Sequence, residues 1–168
     1  MSAKAAPGWG SAHLAAIRPG EVALDPAEQL AVHQTLARYA FALDQQDLEA
    51  LGAVLAEDAT WAFKIAGESD LGPVVGREAI LAFVRDAMDA ETDQRRHNLV
   101  NVAFHGANAD TALVHAYLML TSNAGGSGGG SGGGSAGVVA TGFYTFGLER
   151  AGGEWRIAEL FLGTDNAW

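Results

Sequence analysis

The period of the apolar positions changes near residue 97 of the chain. Before this point apolar residues recur at intervals of three and four, which is typical of the buried stripe of a helix. After it they alternate with polar residues, which is typical of strands. The pattern predicts three helices, at residues 26–43, 47–58 and 77–88. It predicts a short strand at 59–65, a loop at 67–73, and four longer strands at 97–104, 111–122, 138–150 and 154–162.

Helix signals mark the start of the first helix. Asp25 is placed as the N-cap, Pro26 occupies the first helical position, and Glu28 is placed to reach back to the cap as in a capping box. Three helices followed by a mostly antiparallel sheet predict an α+β domain whose helices cover one face of a curved sheet.

Composition and charge narrow the class of protein. The chain has 168 residues, 49% of them hydrophobic and 18% charged, which is enough for one hydrophobic core. It contains no cysteine, so disulfides and cysteine-bound zinc are excluded. A net charge of −10 disfavours nucleic acid and anionic lipid as partners. Since no long apolar run or signal-peptide pattern occurs, we expect a cytoplasmic location and no membrane partner.

Two segments fall outside the predicted core. Residues 1–24, rich in Ala, Gly and Pro, predict a flexible arm, so the domain proper is 25–168. Residues 125–135 read GGSGGGSGGGS, a composition typical of an engineered flexible linker. A fusion joint and a circular permutation are alternatives, but we favour replacement of a loop between two strands. About 11 such residues have a relaxed span of about 18 Å, which is enough to close a hairpin.

Asp44 is the unusual residue of the first helix. A carboxylate in the last turn faces the negative end of the helix dipole, and Asp44 also lies on the stripe that the helix should bury. A buried carboxylate needs a partner. His97, at the start of a strand that the helix can cross, would form with Asp44 a general base of suitable pKa. The alternative is that both are solvated, since His97 follows Arg95 and Arg96.

Other polar residues give weaker indications. Tyr39 lies about 140° around the helix from Asp44, so it is either a residue that flanks the same cavity or a core tyrosine. Strand alternation places His115 and Tyr117 on the outer face of the sheet, where they would suit a subunit interface. No metal-ligand spacing and no nucleotide-binding motif occurs, so we expect no metal and no cofactor.

Several short motifs occur in a fixed order between residues 26 and 162. They are Arg38-Tyr39, Ala42-Leu43-Asp44, Leu55-Ala56-Glu57-Asp58-Ala59, Gly76-Arg77-Glu78-Ala79-Ile80, Arg96-His97 with Asn101, and Gly153-Glu154-Trp155-Arg156-Ile157. This series resembles the SnoaL-like group of the superfamily that includes nuclear transport factor 2, ketosteroid isomerase and scytalone dehydratase. The resemblance implies a cone-shaped α+β domain, with a curved, mostly antiparallel sheet wrapped around three helices, and a homodimer or homotrimer formed through the sheet face.

The resemblance also implies a site. Asp44 and His97 match the acid–base dyad of similar dehydratases, and Tyr39 matches a position that binds or polarises substrate. The site would act on an apolar polycyclic, polyketide-like or steroid-like molecule, as a cofactor-independent lyase or isomerase of the dehydratase or cyclase type. The residues expected to line the substrate cavity are Trp61, Phe63, Phe83, Asn101, Leu118, Leu120, Phe143 and Leu160. Some relatives have a polar residue on the last strand, where this chain has Leu160 and Leu162.

Two other functions remain open on the sequence alone. An epoxide-opening hydrolase or cyclase with the same fold would need an Asp/Arg pair in the cone, and the sequence does not indicate where one would lie. A non-catalytic ligand-binding or assembly subunit would use the outer face near His115 and Tyr117 for a larger partner. The fold by itself does not decide between these functions.

Overall fold

The computed structural model describes residues 24–66, 69–124 and 135–167. In chain order the elements are α1 (Pro26–Asp44), α2 (Leu48–Val54), β1 (Leu55–Ile65), β2 (Ser69–Val75), α3 (Arg77–Ala90), β3 (Gln94–Ala107), β4 (Thr111–Ala124), β5 (Ser135–Ala151) and β6 (Glu154–Thr164). Within these ranges no helix has the length and apolar character that a transmembrane span requires. The predicted arm at 1–24 lies outside the described residues except for Leu24, which is buried.

The six strands form one sheet in the order β2-β1-β6-β5-β4-β3. The β1–β6 pair is parallel and every other pair is antiparallel. Tyr39 of α1 makes ring contacts with Tyr144 and Phe146 of β5, so the helices cover the face that carries these two residues. We call it the inner face, and the opposite one the outer face. The predicted α+β class is confirmed.

Asp25 caps the start of α1 as predicted, whereas Glu28 makes contacts that differ from the prediction. Asp25 Oδ1 accepts a hydrogen bond from the Glu28 backbone N–H at 2.9 Å, as expected for an N-cap. The Glu28 side chain does not close a capping box. Its Oε2 accepts from Trp155 Nε1 at 2.7 Å, and its Oε1 lies 2.9 Å from Arg150 Nη2. Glu28 therefore ties the helix to the last two strands.

The segment between α2 and α3 differs most from the prediction. Helix α2 ends at Val54 and β1 begins directly at Leu55. Of the predicted loop, residues 69–73 belong to the strand β2, which pairs with β1, and residues 67–68 lie outside the described part of the chain. Gly and Pro in the segment favour a loop, but an edge strand tolerates both. Gly72 has a φ of 95°, and a Cβ there would come within 2.6 Å of the Trp61 carbonyl oxygen. Only glycine fits this close approach.

Strands β4 and β5 remain paired up to the predicted linker. Asn123 is opposite Ala136, and Ala124 is opposite Ser135. Residue 135, the last of the predicted linker, is thus the first residue of β5, and residues 125–134 lie outside the described part of the chain. The flanking strand ends are antiparallel partners, as the loop-replacement interpretation requires.

Candidate active site

Asp44 and His97 are in direct contact. Asp44 Oδ1 lies 2.8 Å from His97 Nδ1, and the same oxygen accepts a hydrogen bond from the His97 backbone N–H at 2.9 Å. The last residue of α1 is therefore joined to the beginning of β3 at two points. The predicted pair is formed, and the solvated alternative does not describe these side chains, which are only 10% and 16% exposed.

The contact determines which ring nitrogen is free. An ionised carboxylate accepts hydrogen bonds and donates none, so Nδ1 of His97 carries the proton that it shares with Asp44. In the neutral ring Nε2 then has the lone pair and can take a proton from another molecule. This orientation of an imidazole by a carboxylate is the arrangement that general-base catalysis uses.

A cavity with a volume of about 480 Å³ reaches both members of the pair. It follows the groove between α1 and β3. Its apolar lining comes from both elements and includes Leu36, Ala40, Leu99 and Val102. The pair thus lies where an apolar surface meets a few polar groups, which is the usual character of a small-molecule site.

A polar network supports the pair from the side of α3. The Gln94 side chain donates to the Asp44 carbonyl oxygen at 3.1 Å, which satisfies one of the free carbonyls at the end of α1. Arg95 forms ion pairs with Glu91 at 3.1 Å and with Asp93 at 3.3 Å. The Ser122 hydroxyl donates to Asp93, and this hydrogen bond contributes most to lowering the pKa of the Asp93 carboxyl. These contacts hold the first residues of β3 in place.

Tyr39 lies in the buried core beside Tyr144. Its hydroxyl lies 3.3 Å from the Tyr144 hydroxyl, and both rings are almost completely buried. Burial is the main cause that raises the pKa of both tyrosines, and the negative charge of Asp44 adds to the rise for Tyr144. Both hydroxyls therefore remain protonated near neutral pH and can donate hydrogen bonds.

Most of the predicted lining residues lie on the inner face. Trp61 is opposite Leu160, Phe63 is opposite Leu162, and Leu120 is opposite His97. Leu118 has Leu99 as its neighbour on the same face, and Phe83 of α3 contacts Phe63 with ring centres 5.6 Å apart. The aromatic series Tyr39, Trp61, Phe63 and Phe83 forms one continuous wall.

Two predicted lining residues lie elsewhere. Phe143 is opposite Tyr117 and stacks on His115, so it belongs to the outer face. Asn101 is exposed at an irregularity of β3, with a φ of 53°. Because a bulge shifts the alternation of side chains, a count of positions from His97 does not place Asn101 correctly. The predicted outer-face positions of His115 and Tyr117 are confirmed, since Val114 and Ala116, which alternate with them along β4, lie opposite Phe146 and Tyr144 of the inner face.

Sequence reasoning missed Tyr144 and Gln94. Tyr144 alternates with Gly142 and Phe146 on the inner face, but the neighbouring Phe143 is also buried, so the period of β5 does not distinguish the two faces here. Gln94 lies before the predicted start of the strand and offered no signal. In the described ranges there is no group of three or more His, Asp or Glu side chains that could hold a metal ion.

Solved structures share this architecture. A Nostoc punctiforme protein of unknown function with a cystatin-like fold has a TM-score of 0.69 at 18% identity, over 86% of this chain and 96% of that chain. A candidate aromatic ring hydroxylase from Novosphingobium aromaticivorans gives 0.63 at 29% identity, over 83% and 91%. A candidate dehydratase of the NTF2-like family from Streptomyces avermitilis gives 0.67 at 17% identity, over 83% and 97%.

The fold and these neighbours define a cone-shaped α+β domain of the NTF2-like type, with an Asp–His pair at the end of its first helix. The model of the SnoaL-like domain matches residues 27–160, so the chain belongs to the SnoaL-like family. No functionally curated protein matches the chain significantly.

Proposed function

We propose that the protein is a lyase or isomerase of the dehydratase or cyclase type that needs no cofactor and acts on an apolar ring compound. The observation that carries the proposal is the 2.8 Å contact between Asp44 and His97. The candidate dehydratase among the structural neighbours supports the reaction class. The apolar residues beside the pair and along the inner face support the substrate class.

His97 is the proton-transferring group in this proposal. Its Nε2 removes a proton from a carbon next to a carbonyl group, and the electron pair of that C–H bond moves toward the carbonyl oxygen. In an elimination, a hydroxyl on the next carbon leaves, takes the proton from the imidazolium and departs as water. In an isomerisation, the imidazolium returns the proton to a different carbon. Asp44 stabilises the positive charge on the ring in both cases.

The developing charge on the carbonyl oxygen needs a hydrogen-bond donor. The hydroxyls of Tyr39 and Tyr144 share a single contact, so only one of their two protons is used in it. The remaining O–H is a buried donor in surroundings that strengthen electrostatic interactions. We assign the stabilisation of the oxyanion to this tyrosine pair, which gives Tyr39 the role expected from the resemblance.

Proton abstraction can be tested without the natural substrate. The rate at which the protons next to the carbonyl of 2-tetralone exchange in D₂O is measured by NMR, with and without the protein. We expect catalysed exchange by the unmodified protein and a fall of about 10²-fold or more for Asp44→Asn and His97→Gln. Asp47→Asn is the matched control, since Asp47 caps α2 and asparagine caps equally well.

The result that opposes the proposal is equally clear. If Asp44→Asn and His97→Gln exchange protons as fast as Asp47→Asn, the pair does not transfer protons. The protein would then be better described as a ligand-binding subunit.

The outer face supports a second proposal, a homodimer or homotrimer. Tyr117 is 46% exposed and Met119 38% exposed on this face, which is a large apolar contribution for a solvated sheet. A chain with a net charge of −10 can associate with itself only where few carboxylates meet, and these strand centres meet that condition. Sedimentation of Tyr117→Asp tests the proposal, since this variant is expected to be monomeric. An unchanged oligomer would exclude the face.

A further inference from the structure

The Trp61 indole N–H has no acceptor among the residues that the structure describes. The side chain is 2% exposed, and its Nε1 atom makes no hydrogen bond within the described part of the chain. Burying such a donor unpaired typically costs about 1–3 kcal/mol. By contrast, Trp155, the other tryptophan that the structure describes, donates its N–H to Glu28 at 2.7 Å.

Trp61 belongs to the same wall as the tyrosine pair. Its ring centre lies 5.9 Å from that of Tyr39, whose hydroxyl contacts Tyr144. Among the described residues, that pair also retains one O–H without an acceptor. Two buried donors therefore lie on the same aromatic wall of the inner face, and the described residues offer neither of them an acceptor. An acceptor atom of a bound molecule would satisfy the Trp61 donor.

The aromatic wall also indicates how such a molecule reaches these donors. Tyr39 and Trp61 are buried, whereas Phe63 and Phe83, next along the wall, are partly exposed. Phe63 contacts Trp61 with ring centres 5.8 Å apart. A planar ring entering past the two phenylalanines would stack on aromatic surfaces before it meets the indole N–H.

We propose that the Trp61 indole N–H donates a hydrogen bond to the carbonyl oxygen of the substrate, which is an aromatic or conjugated ring ketone. The inference rests on the proposed function and narrows its substrate class. The sequence predicts Trp61 only as an apolar lining residue. In this proposal it also makes the site prefer molecules that carry a carbonyl oxygen. A hydrocarbon of the same shape would gain the stacking contacts but would leave the donor unpaired.

A matched pair of probes tests the inference. 2-Tetralone and tetralin share a ring frame and differ in the carbonyl group. In ¹⁵N-labelled protein, each of the four tryptophans gives one indole N–H resonance. We expect 2-tetralone, and not tetralin, to move one of these resonances downfield, and we expect that resonance to be absent from Trp61→Phe.

Binding to the variants supplies a second measurement. Trp61→Phe keeps an aromatic ring and removes the donor, so it should bind 2-tetralone about five- to tenfold more weakly while its affinity for tetralin changes little. Trp155→Phe is the matched control, because its N–H is already paired, and should keep the preference for the ketone. If Trp61→Phe does not fold, the Trp61 resonance is assigned by elimination from Trp9→Phe, Trp155→Phe and Trp168→Phe, and its shift in the unmodified protein then decides.

The outcomes separate this inference from the proposed function. If both probes move the Trp61 resonance alike, or if Trp61→Phe retains the full preference for the ketone, the donor assignment is wrong. Exchange of the 2-tetralone protons that still depends on Asp44 would leave the acid–base proposal intact in that case. If neither probe binds, the site does not take an apolar ring compound, and both the proposed function and the role of Trp61 are wrong.

Discussion

His97 offers Asp44 two hydrogen-bond donors, and both end on the same carboxylate oxygen, Oδ1. The backbone N–H fixes the distance between the end of α1 and the beginning of β3. The ring nitrogen is then held by a carboxylate whose own position is already determined. The pair is therefore preorganised by the backbone as well as by its side chains, as efficient proton transfer requires.

Asp44 has a structural role that can be separated from its chemical role. Asp44→Ala leaves the His97 backbone N–H without its acceptor, and we expect a loss of about 1–3 kcal/mol in the free energy of unfolding. Asp44→Asn keeps a carbonyl oxygen for that N–H, so its loss should be clearly smaller. Urea denaturation measures both values. Equal losses for Ala and Asn would show that the backbone hydrogen bond contributes little.

The buried tyrosines predict a loss of stability in alkali. Their pKa values are raised in the folded protein, chiefly by burial, whereas an unfolded tyrosine ionises near pH of about 10. Unfolding then releases protons above that pH, so stability falls as the pH rises, by up to about 1.4 kcal/mol per pH unit for each proton. Tyr144→Phe should flatten this decline. An unchanged decline in Tyr144→Phe would contradict this account.

His115 on the outer face predicts that the protein loses stability as the pH falls below neutral. Burial, followed by the neighbouring His105, lowers the pKa of His115. The unfolded chain consequently binds more protons than the folded chain as the pH falls through about 6.5, and stability decreases there. In thermal denaturation from pH 7.5 to 5.5, His115→Gln should lose less stability than the unmodified protein. An identical pH profile would mean that His115 does not drive the decrease.

Glu28 predicts how firmly α1 is attached to the sheet. It accepts the Trp155 indole N–H and pairs with Arg150. Glu28→Ala should lower the free energy of unfolding by about 1–2 kcal/mol, because the Trp155 donor loses its partner. Glu28→Gln retains an acceptor and should cost less, since a partly exposed ion pair contributes little. Chemical denaturation of the two variants measures both losses in the free energy of unfolding. A loss for Glu28→Gln as large as that for Glu28→Ala would contradict this account.

The contact between Asp44 and His97 was one of two interpretations of the residues, and the resemblance to similar dehydratases favoured it over solvated side chains. Asp44 ends a helix with a clear N-cap, and His97 lies where the period of apolar residues changes. The strand β2 was missed because Gly72 and Pro73 are typical of loops, and its identity as a strand depends on pairing with β1. β1 and β2 are neighbours in the chain, with Ile65 paired to Ser69, but the glycine and the proline interrupt the alternation that identifies a strand.

Phe143 was predicted to line the cavity, and Tyr144 was missed, for a different reason. Strand β5 is buried on both faces at this point, since Phe143 and Tyr144 are both shielded from solvent. Alternation of apolar and polar residues then no longer shows which face is which. The contact between Tyr144 and Tyr39 joins residues 105 positions apart, and only the folded arrangement reveals it.

The protonation of the His97 ring tests the central claim most directly. ¹⁵N NMR of the imidazole nitrogens in the unmodified protein identifies which of them carries the proton when the ring is neutral. The hydrogen bond to Asp44 predicts a proton on Nδ1 and a free lone pair on Nε2, and Asp44→Ala should abolish this preference, since it removes the acceptor of the Nδ1 proton. A neutral ring protonated on Nε2 in the unmodified protein would contradict the claim that Asp44 prepares His97 as a base.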